Sequence, residues 1–248
     1  MPANDCEAIV LVVRDYGESD KIVTIFTREH GKMGSIARYA KKSRKRFGGA
    51  LEIFARLQIR VVLKETISRL ESVDVLTIFP RIREDLAKIG YAGYACELVD
   101  RLIPEAQPNT RLYRLLASYL EYLNSAPAVE DDRRFFEANL LNILGYRIPL
   151  EKCVRCGTPL ASIADVRFQP QSQGIFCGSC SRNGRKISPD TLLLLGMAMR
   201  TGQFGKIRFP GSTLPEAGEI LDASIDAHLN RPLNSLSFLQ ETVRTDEY

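Results

Sequence analysis

The sequence predicts an α+β protein: a small closed β-barrel at the N-terminus, then an α-helical domain with an inserted four-cysteine module. Three observations predict it. β-type runs crowd the first 80 residues, helical spacing of apolar residues sets in after Pro80, and two Cys-x-x-Cys pairs stand 20 residues apart between the helices. The boundaries read as a barrel at 1–80, the first part of the helical domain at 81–150, the cysteine module at 151–186 and the second helical part at 187–248.

Ile9, Leu11 and Val13 alternate with Ala8, Val10 and Val12 in a wholly apolar first strand, and Asp15-Tyr16-Gly17-Glu18-Ser19-Asp20 makes the turn after it. Ile22–Thr27 is the second strand, and His30-Gly31-Lys32 turns the chain into a third, Met33–Tyr39. The clearest pattern is at 53–64: Ile53, Ala55, Leu57, Ile59, Val61 and Leu63 on one face, Phe54, Arg56, Gln58, Arg60, Val62 and Lys64 on the other. A fifth run, Ile67–Phe79, stops at Pro80. Five short strands with no long helical pattern among them suggest a barrel of the OB type.

Beyond Pro80, Ile82, Leu86, Ile89, Cys96, Val99 and Ile103 recur at helical spacing until Pro104 stops the helix. A second helix spans about Arg111 to Asn124, and a third starts near Asp131 and ends at Gly145, a natural left-handed stop. Ser188-Pro189-Asp190 reads as a cap and first turn, and further helices fall near 215–229 and 233–243.

The formal net charge of +4 conceals an uneven distribution. Residues 1–80 carry 14 basic and 10 acidic groups and 151–186 carry 6 and 2, whereas the two helical segments are slightly acidic. Between the third and fourth strands, six of the nine residues from Arg38 to Arg46 are basic: Arg38, Lys41, Lys42, Arg44, Lys45 and Arg46. Such a run repels itself and is expected to stay poorly ordered until an anion neutralises it. Tyr39 and Phe47 bracket it and are placed to stack on bases while the cations take phosphates. Lys32, Arg56 and Arg60 are weaker candidates for the same groove, Arg56 and Arg60 on the polar face of the fourth strand with Lys64 beside them. The alternative is a solvated basic loop with no ligand.

The spacing of Cys153, Cys156, Cys177 and Cys180 falls in the zinc-ribbon range, with Gly157 and Gly178 supplying tight turns. A closed four-sulfur site holds one structural Zn2+ and leaves no position for substrate. Free thiols or a redox pair are the other readings. Disulfides would need an oxidising compartment, and the start of the chain, interrupted by Asp5 and Glu7, resembles neither a signal peptide nor a membrane anchor. Cys6 and Cys96 fall on apolar stretches and read as buried thiols.

An enzyme is not expected. The two histidines, His30 and His228, lie in segments of different type, no His-x-Glu accompanies the cysteines, and Gly202–Lys206 lacks P-loop spacing. Asp131-Asp132 sits at a helix start, where carboxylates stabilise exposed amides.

Tyr16-Gly17-Glu18-Ser19-Asp20, Phe26-Thr27-Arg28-Glu29-His30-Gly31-Lys32, the basic loop and Gly49-Ala50-Leu51-Glu52-Ile53-Phe54 resemble the N-terminal OB domain of the bacterial recombination mediators of the RecO family. Phe136-Glu137-Ala138-Asn139-Leu140-Leu141, Leu144-Gly145-Tyr146 and the four cysteines resemble its helical and zinc modules, so the likeness covers nearly the whole chain in order. The resemblance implies a cytoplasmic, nucleoid-associated DNA-repair protein that binds single- and double-stranded DNA and anneals complementary strands without catalysis. It further implies work with RecR to place RecA on DNA coated by single-strand-binding protein, whose acidic C-terminal tail docks on the helical part. From the residues alone, a zinc-ribbon RNA-binding factor is the alternative, since OB barrels and basic loops serve RNA equally well.

Overall fold

The computed structural model describes residues 2–161 and 163–245, with Arg44, Gln240 and 242–245 described by their backbone. Five strands, β1 (Asn4–Tyr16), β2 (Asp20–Thr27), β3 (Gly31–Ala37), β4 (Arg56–Val62) and β5 (Ser68–Thr77), close into a barrel in the order β1-β2-β3-β5-β4, with β4 returning to β1. The β3–β5 pairing is parallel (Ser35 opposite Ser68, Ala37 opposite Leu70) and every other seam is antiparallel. This is the OB topology.

One long strand makes closure possible. β1 pairs with β2 and also with β4, so that Ala8 faces both Thr27 and Leu57. An irregularity between Val10 and Val12 bends it, and there Val10 exchanges hydrogen bonds with Phe54 N–H (2.9 Å) and Ala55 C=O (3.0 Å). Val10, Val23, Ile25, Leu57, Ile59 and Val61 fill the interior.

The fourth strand starts three residues later than its alternation suggests. Ile53 is 41% exposed, and Phe54 is buried on a left-handed backbone (φ 75°). The chain is still turning there, because the connection from β3 must re-enter the barrel before pairing can begin.

That connection contains a single helical turn, α1 (Arg44–Phe47). The remaining elements are α2 (Pro80–Arg83), α3 (Leu86–Leu102), α4 (Thr110–Ser125), α5 (Glu130–Leu144), β6 (Val166–Gln169), β7 (Gly174–Cys177), β8 (Arg185–Ile187), α6 (Pro189–Arg200), α7 (Thr213–Asp226) and α8 (Asn234–Thr245). The helix expected from Ile82 to Ile103 is two helices. Asp85 takes an extended conformation and accepts the Lys88 amide at 3.0 Å, starting α3 afresh. Asn109 and Ser188 cap α4 and α6 in the same way, and Gly145 ends α5 at φ 79°.

Two compact units result. In one, the barrel and α1–α4 are joined by α8. Glu97 of α3 accepts from the amides of Asn234 and Ser235 and from the Ser235 hydroxyl (3.2, 2.8 and 2.6 Å), so one carboxylate caps the N-terminus of α8. Gly31 begins β3 at φ 75°, where the backbone of Gln107 passes so close that a Cβ would overlap it.

The other unit spans residues 128–232. The Asp131-Asp132 pair does more there than stabilise its own helix. Asp132, 1% exposed, accepts from the Gly205 amide (2.9 Å), and Asp131 accepts from the Phe209 amide (2.7 Å), which fixes the segment after α6. Arg134 joins Glu130, the fully buried Glu137 and Asp222 (3.0, 2.9 and 2.5 Å), and a Cβ at Gly218 would lie 2.6 Å from its guanidinium. Buried carboxylates stripped of such a partner are costly. Arg134→Leu is therefore expected to lower the unfolding free energy by about 3–5 kcal/mol in urea denaturation followed by circular dichroism. Adding Glu137→Gln should recover part of that stability; a neutral single variant would contradict the role given to Arg134.

Candidate nucleic-acid interface and metal centre

Residues 38–55 carry the basic run from β3 to β4. Tyr39 adopts φ 59°, and its amide donates to Asp20 Oδ1 at 2.8 Å. Its carbonyl accepts from the amides of Lys42 (3.1 Å) and Ser43 (2.9 Å), while the Lys41 amide reaches Ser19 C=O at 3.0 Å. The turn is thus stitched to the β1–β2 turn beside it. At its far end Phe47 (2% exposed) and Leu51 drop into the barrel interior with Val23, Ile25 and Leu57. Hydrophobic side chains go in and the cations stay out.

Arg38, Lys41, Lys42 and Lys45 line this turn, with Lys42 and Lys45 exposed; the Arg44 side chain lies outside the described residues. Lys41 lies 3.1 Å from Asp15 and 3.3 Å from Gly17 C=O. Arg46 is braced by Ser43 Oγ (3.2 Å), by Arg38 C=O (2.8 Å) and by the Phe47 ring beneath its guanidinium (5.0 Å to the centroid). Among the described residues, no carboxylate pairs with Arg38, Lys42, Lys45 or Arg46. Beside the turn, a concavity is lined by Arg38, Tyr39, Arg46, Arg69, Leu70 and Glu71. A cluster of unneutralised cations around a concave surface attracts polyanions.

Several expectations change. The run has a hydrogen-bonded course rather than a disordered one, because Asp20 and Phe47 hold its two ends. Phe47 is inside the barrel and cannot stack on a base, which leaves Tyr39, 60% exposed, as the aromatic at the surface. Lys32 has a side chain only 11% exposed, and its ammonium is bound to the Asp100 carboxylate (3.4 Å) and carbonyl. Arg56 is held by Glu121 at 2.6 Å, and Arg60 faces Asp5 across the β1–β4 seam at 3.9 Å. Sequence reasoning missed Asp20 and Arg69. An acidic residue in a turn is an ordinary amide acceptor, so Asp20 had a local signal. Arg69 had none, since it reaches the turn only through the parallel β3–β5 seam.

In the second unit, Cys153, Cys156, Cys177 and Cys180 bring their sulfurs within 4.8 Å of one another. Each Cys-x-x-Cys segment curls into a turn: Gly157 N–H donates to Cys153 C=O (2.9 Å), and the Cys180 and Ser181 amides donate to Cys177 C=O (2.9 and 3.1 Å). The sheet β7-β6-β8, with Val166, Phe168, Ile175 and Ile187 buried, ends β7 at Cys177. Val154 N–H to Ile175 C=O (3.0 Å) ties the first turn to that strand. Four convergent sulfurs on two such turns form a donor set able to hold a metal ion, with every ligand position supplied by protein.

The other two thiols differ in kind. Burial, reinforced by Glu29 and Asp5, pushes the Cys6 thiol up to about 12, and burial with Asp100 nearby raises that of Cys96 further. Both stay protonated and unreactive.

A five-stranded OB barrel with an exposed cationic turn, in a chain that also carries a four-cysteine site, has the features of nucleic-acid-binding modules. The family models "Recombination protein O N terminal" and "Recombination protein O C terminal" match residues 1–79 and 83–237. Proteins named "DNA repair protein RecO" align over nearly their whole length. That of Geobacter sulfurreducens is 54% identical over 237 residues (95% of this chain, 97% of the relative). That of Pelobacter propionicus is 46% identical over 236 residues (95% of each), and that of Symbiobacterium thermophilum 35% over 256 residues (99% of each). The chain belongs to the RecO family.

Thiol titration checks the division of the six cysteines. In native protein treated with a strong chelator, the four clustered thiols should react with an aromatic disulfide reagent, and Cys6 and Cys96 should appear only on denaturation. Six fast thiols in the native state would contradict the burial of Cys6 and Cys96.

Proposed function

We propose that this chain is a non-enzymatic mediator of DNA repair and homologous recombination. It binds single- and double-stranded DNA and anneals complementary strands. With RecR it helps RecA onto DNA coated by single-strand-binding protein, whose acidic tail docks on the helical part. The observation that carries this reading is the cationic turn mounted on an OB barrel, most of its charges without a carboxylate partner, in a chain whose relatives are named for DNA repair.

Annealing is opposed by repulsion between two phosphate backbones. Cations that displace condensed counterions from both strands lower that barrier, and the gain is entropic and salt-dependent. Arg38, Lys41, Lys42, Arg44, Lys45 and Arg46 are the contact set, with Arg60 at its margin. Lys32 drops out, because its ammonium is buried against Asp100, while Arg56, paired with the half-exposed Glu121, stays at the margin beside Arg60. Cys153, Cys156, Cys177 and Cys180 hold one structural Zn2+, which crosslinks the two Cys-x-x-Cys turns and supplies no reaction step.

Lys42→Gln with Lys45→Gln should reduce the log–log salt dependence of single-strand binding by about 0.7 for each phosphate that is no longer neutralised. Lys32→Gln should lower stability while leaving that slope unchanged. An unaltered slope in the double variant would remove the turn from the interface, and tighter binding to structured RNA than to single-stranded DNA would favour an RNA-binding role.

A further inference from the structure

We propose that Tyr39 and the concavity beside it take one unstacked base of single-stranded DNA, and that this stack gives the cationic turn its preference for unpaired strands. The inference rests on the DNA-binding reading above and adds to it a means of discrimination. Phosphate contacts alone cannot supply one, because they carry no base information and the duplex has the denser backbone charge.

Three observations converge. A non-glycine residue with a left-handed backbone is uncommon, and Tyr39 is neither Gly nor Asn. Its conformation is maintained by hydrogen bonds on both sides, the amide to Asp20 Oδ1 and the carbonyl to the amides of Lys42 and Ser43. Strained backbone persists where the surroundings over-determine it, and such residues cluster at ligand contacts. The ring so presented is 60% exposed, whereas the other aromatic of the turn, Phe47, is inside the barrel.

The second observation is Arg46, fixed through Nε by Ser43, through one terminal nitrogen by Arg38 C=O and through its face by Phe47. Its other terminal nitrogen has no protein partner among the described residues, and the group is already ordered before any ligand arrives. The third is the Arg69–Glu71 pair (2.6 Å), which borders the same concavity and offers donors and an acceptor to base edges, while Leu70 between them is buried in the barrel. A flat ring, a preordered phosphate donor and polar groups at the rim are what a single nucleotide requires.

The site also changes its contacts as annealing proceeds. A base that pairs with a complementary strand is withdrawn from Tyr39, so the duplex keeps its phosphates bound and gives up the stack. The stack's share of the affinity is lost as the product forms, which loosens the hold on the duplex without removing the phosphate contacts.

The test uses the full chain and oligonucleotides carrying 2-aminopurine. Tyr39→Gly removes the ring at a position where glycine accepts the backbone without strain, and Tyr39→Phe keeps it. Tyr39→Gly should weaken single-strand binding about tenfold, within the range of one base stack. It should leave duplex affinity, the salt slope and the melting temperature unchanged, while Tyr39→Phe behaves as wild type. Wild type should quench 2-aminopurine, the glycine variant should not, and abasic strands should bind both alike. Asp20→Ala, acting through its positioning of Tyr39, should reproduce the weaker single-strand binding. Equal weakening on both forms of DNA, or none on single strands while the Lys42/Lys45 variant is impaired, would overturn the stacking proposal alone. If the lysine variant is also unimpaired on both, the DNA-binding reading of the turn falls with it.

Discussion

Six cations in nine residues repel one another, and the chain tolerates them because both ends of the run are fastened to the barrel. Phe47 and Leu51 are buried among the barrel's own core residues, and each buried side chain of that size stabilises by about 1.5–3 kcal/mol. At the other end Asp20 holds the Tyr39 amide. The same fastening decides what faces solvent. With the apolar residues drawn inward, Lys41, Lys42 and Lys45 are left toward water, which keeps their mutual repulsion small. Assembly of the barrel and display of charge are therefore one event.

The barrel itself depends on β1, whose 13 residues serve two seams and bend at Val10 to do so. Without that bend β4 could not return, and the β3–β4 connection would have no interior to enter. In the second unit, whose described strands form one three-stranded sheet, two polar devices add to the buried apolar residues of the helices. The Arg134 network and the Asp131/Asp132 hydrogen bonds fix α5, α7 and the segment after α6, while the four-cysteine cluster fastens the small sheet. A short sheet of this kind has little apolar area to bury, so a metal crosslink is the expected staple.

Much of this was legible in the sequence where the signal is local. Apolar, β-branched and alternating runs showed all five strands, Ser188 and Gly145 stand at helix ends as capping chemistry requires, and cysteine spacing located the metal-type site. What escaped depends on distant pairing. Lys32 and Arg56 look like free cations because their carboxylates lie 68 and 65 residues away. Arg69 joins the turn only through the parallel seam, which no short-range pattern encodes. Phe47, flanked by Arg46 and two glycines, reads as surface until the helical turn of α1 directs it inward. The left-handed state of Tyr39 was equally hidden, since the residue type favours nothing of the kind. Conversely, the break at Asp85 had a signal, an acidic cap, that the uninterrupted apolar spacing outweighed.

On the function proposed above, the cationic turn lets this chain bring together two negatively charged strands without chemistry. The direct measurement follows the annealing of two complementary oligonucleotides, each coated with single-strand-binding protein, with wild type and with Lys42→Gln/Lys45→Gln. Wild type should accelerate annealing without ATP and without strand cleavage, and the acceleration should weaken as salt rises and be mostly absent in the variant. Equal acceleration by both proteins, or tight binding with no acceleration by either, would contradict that role.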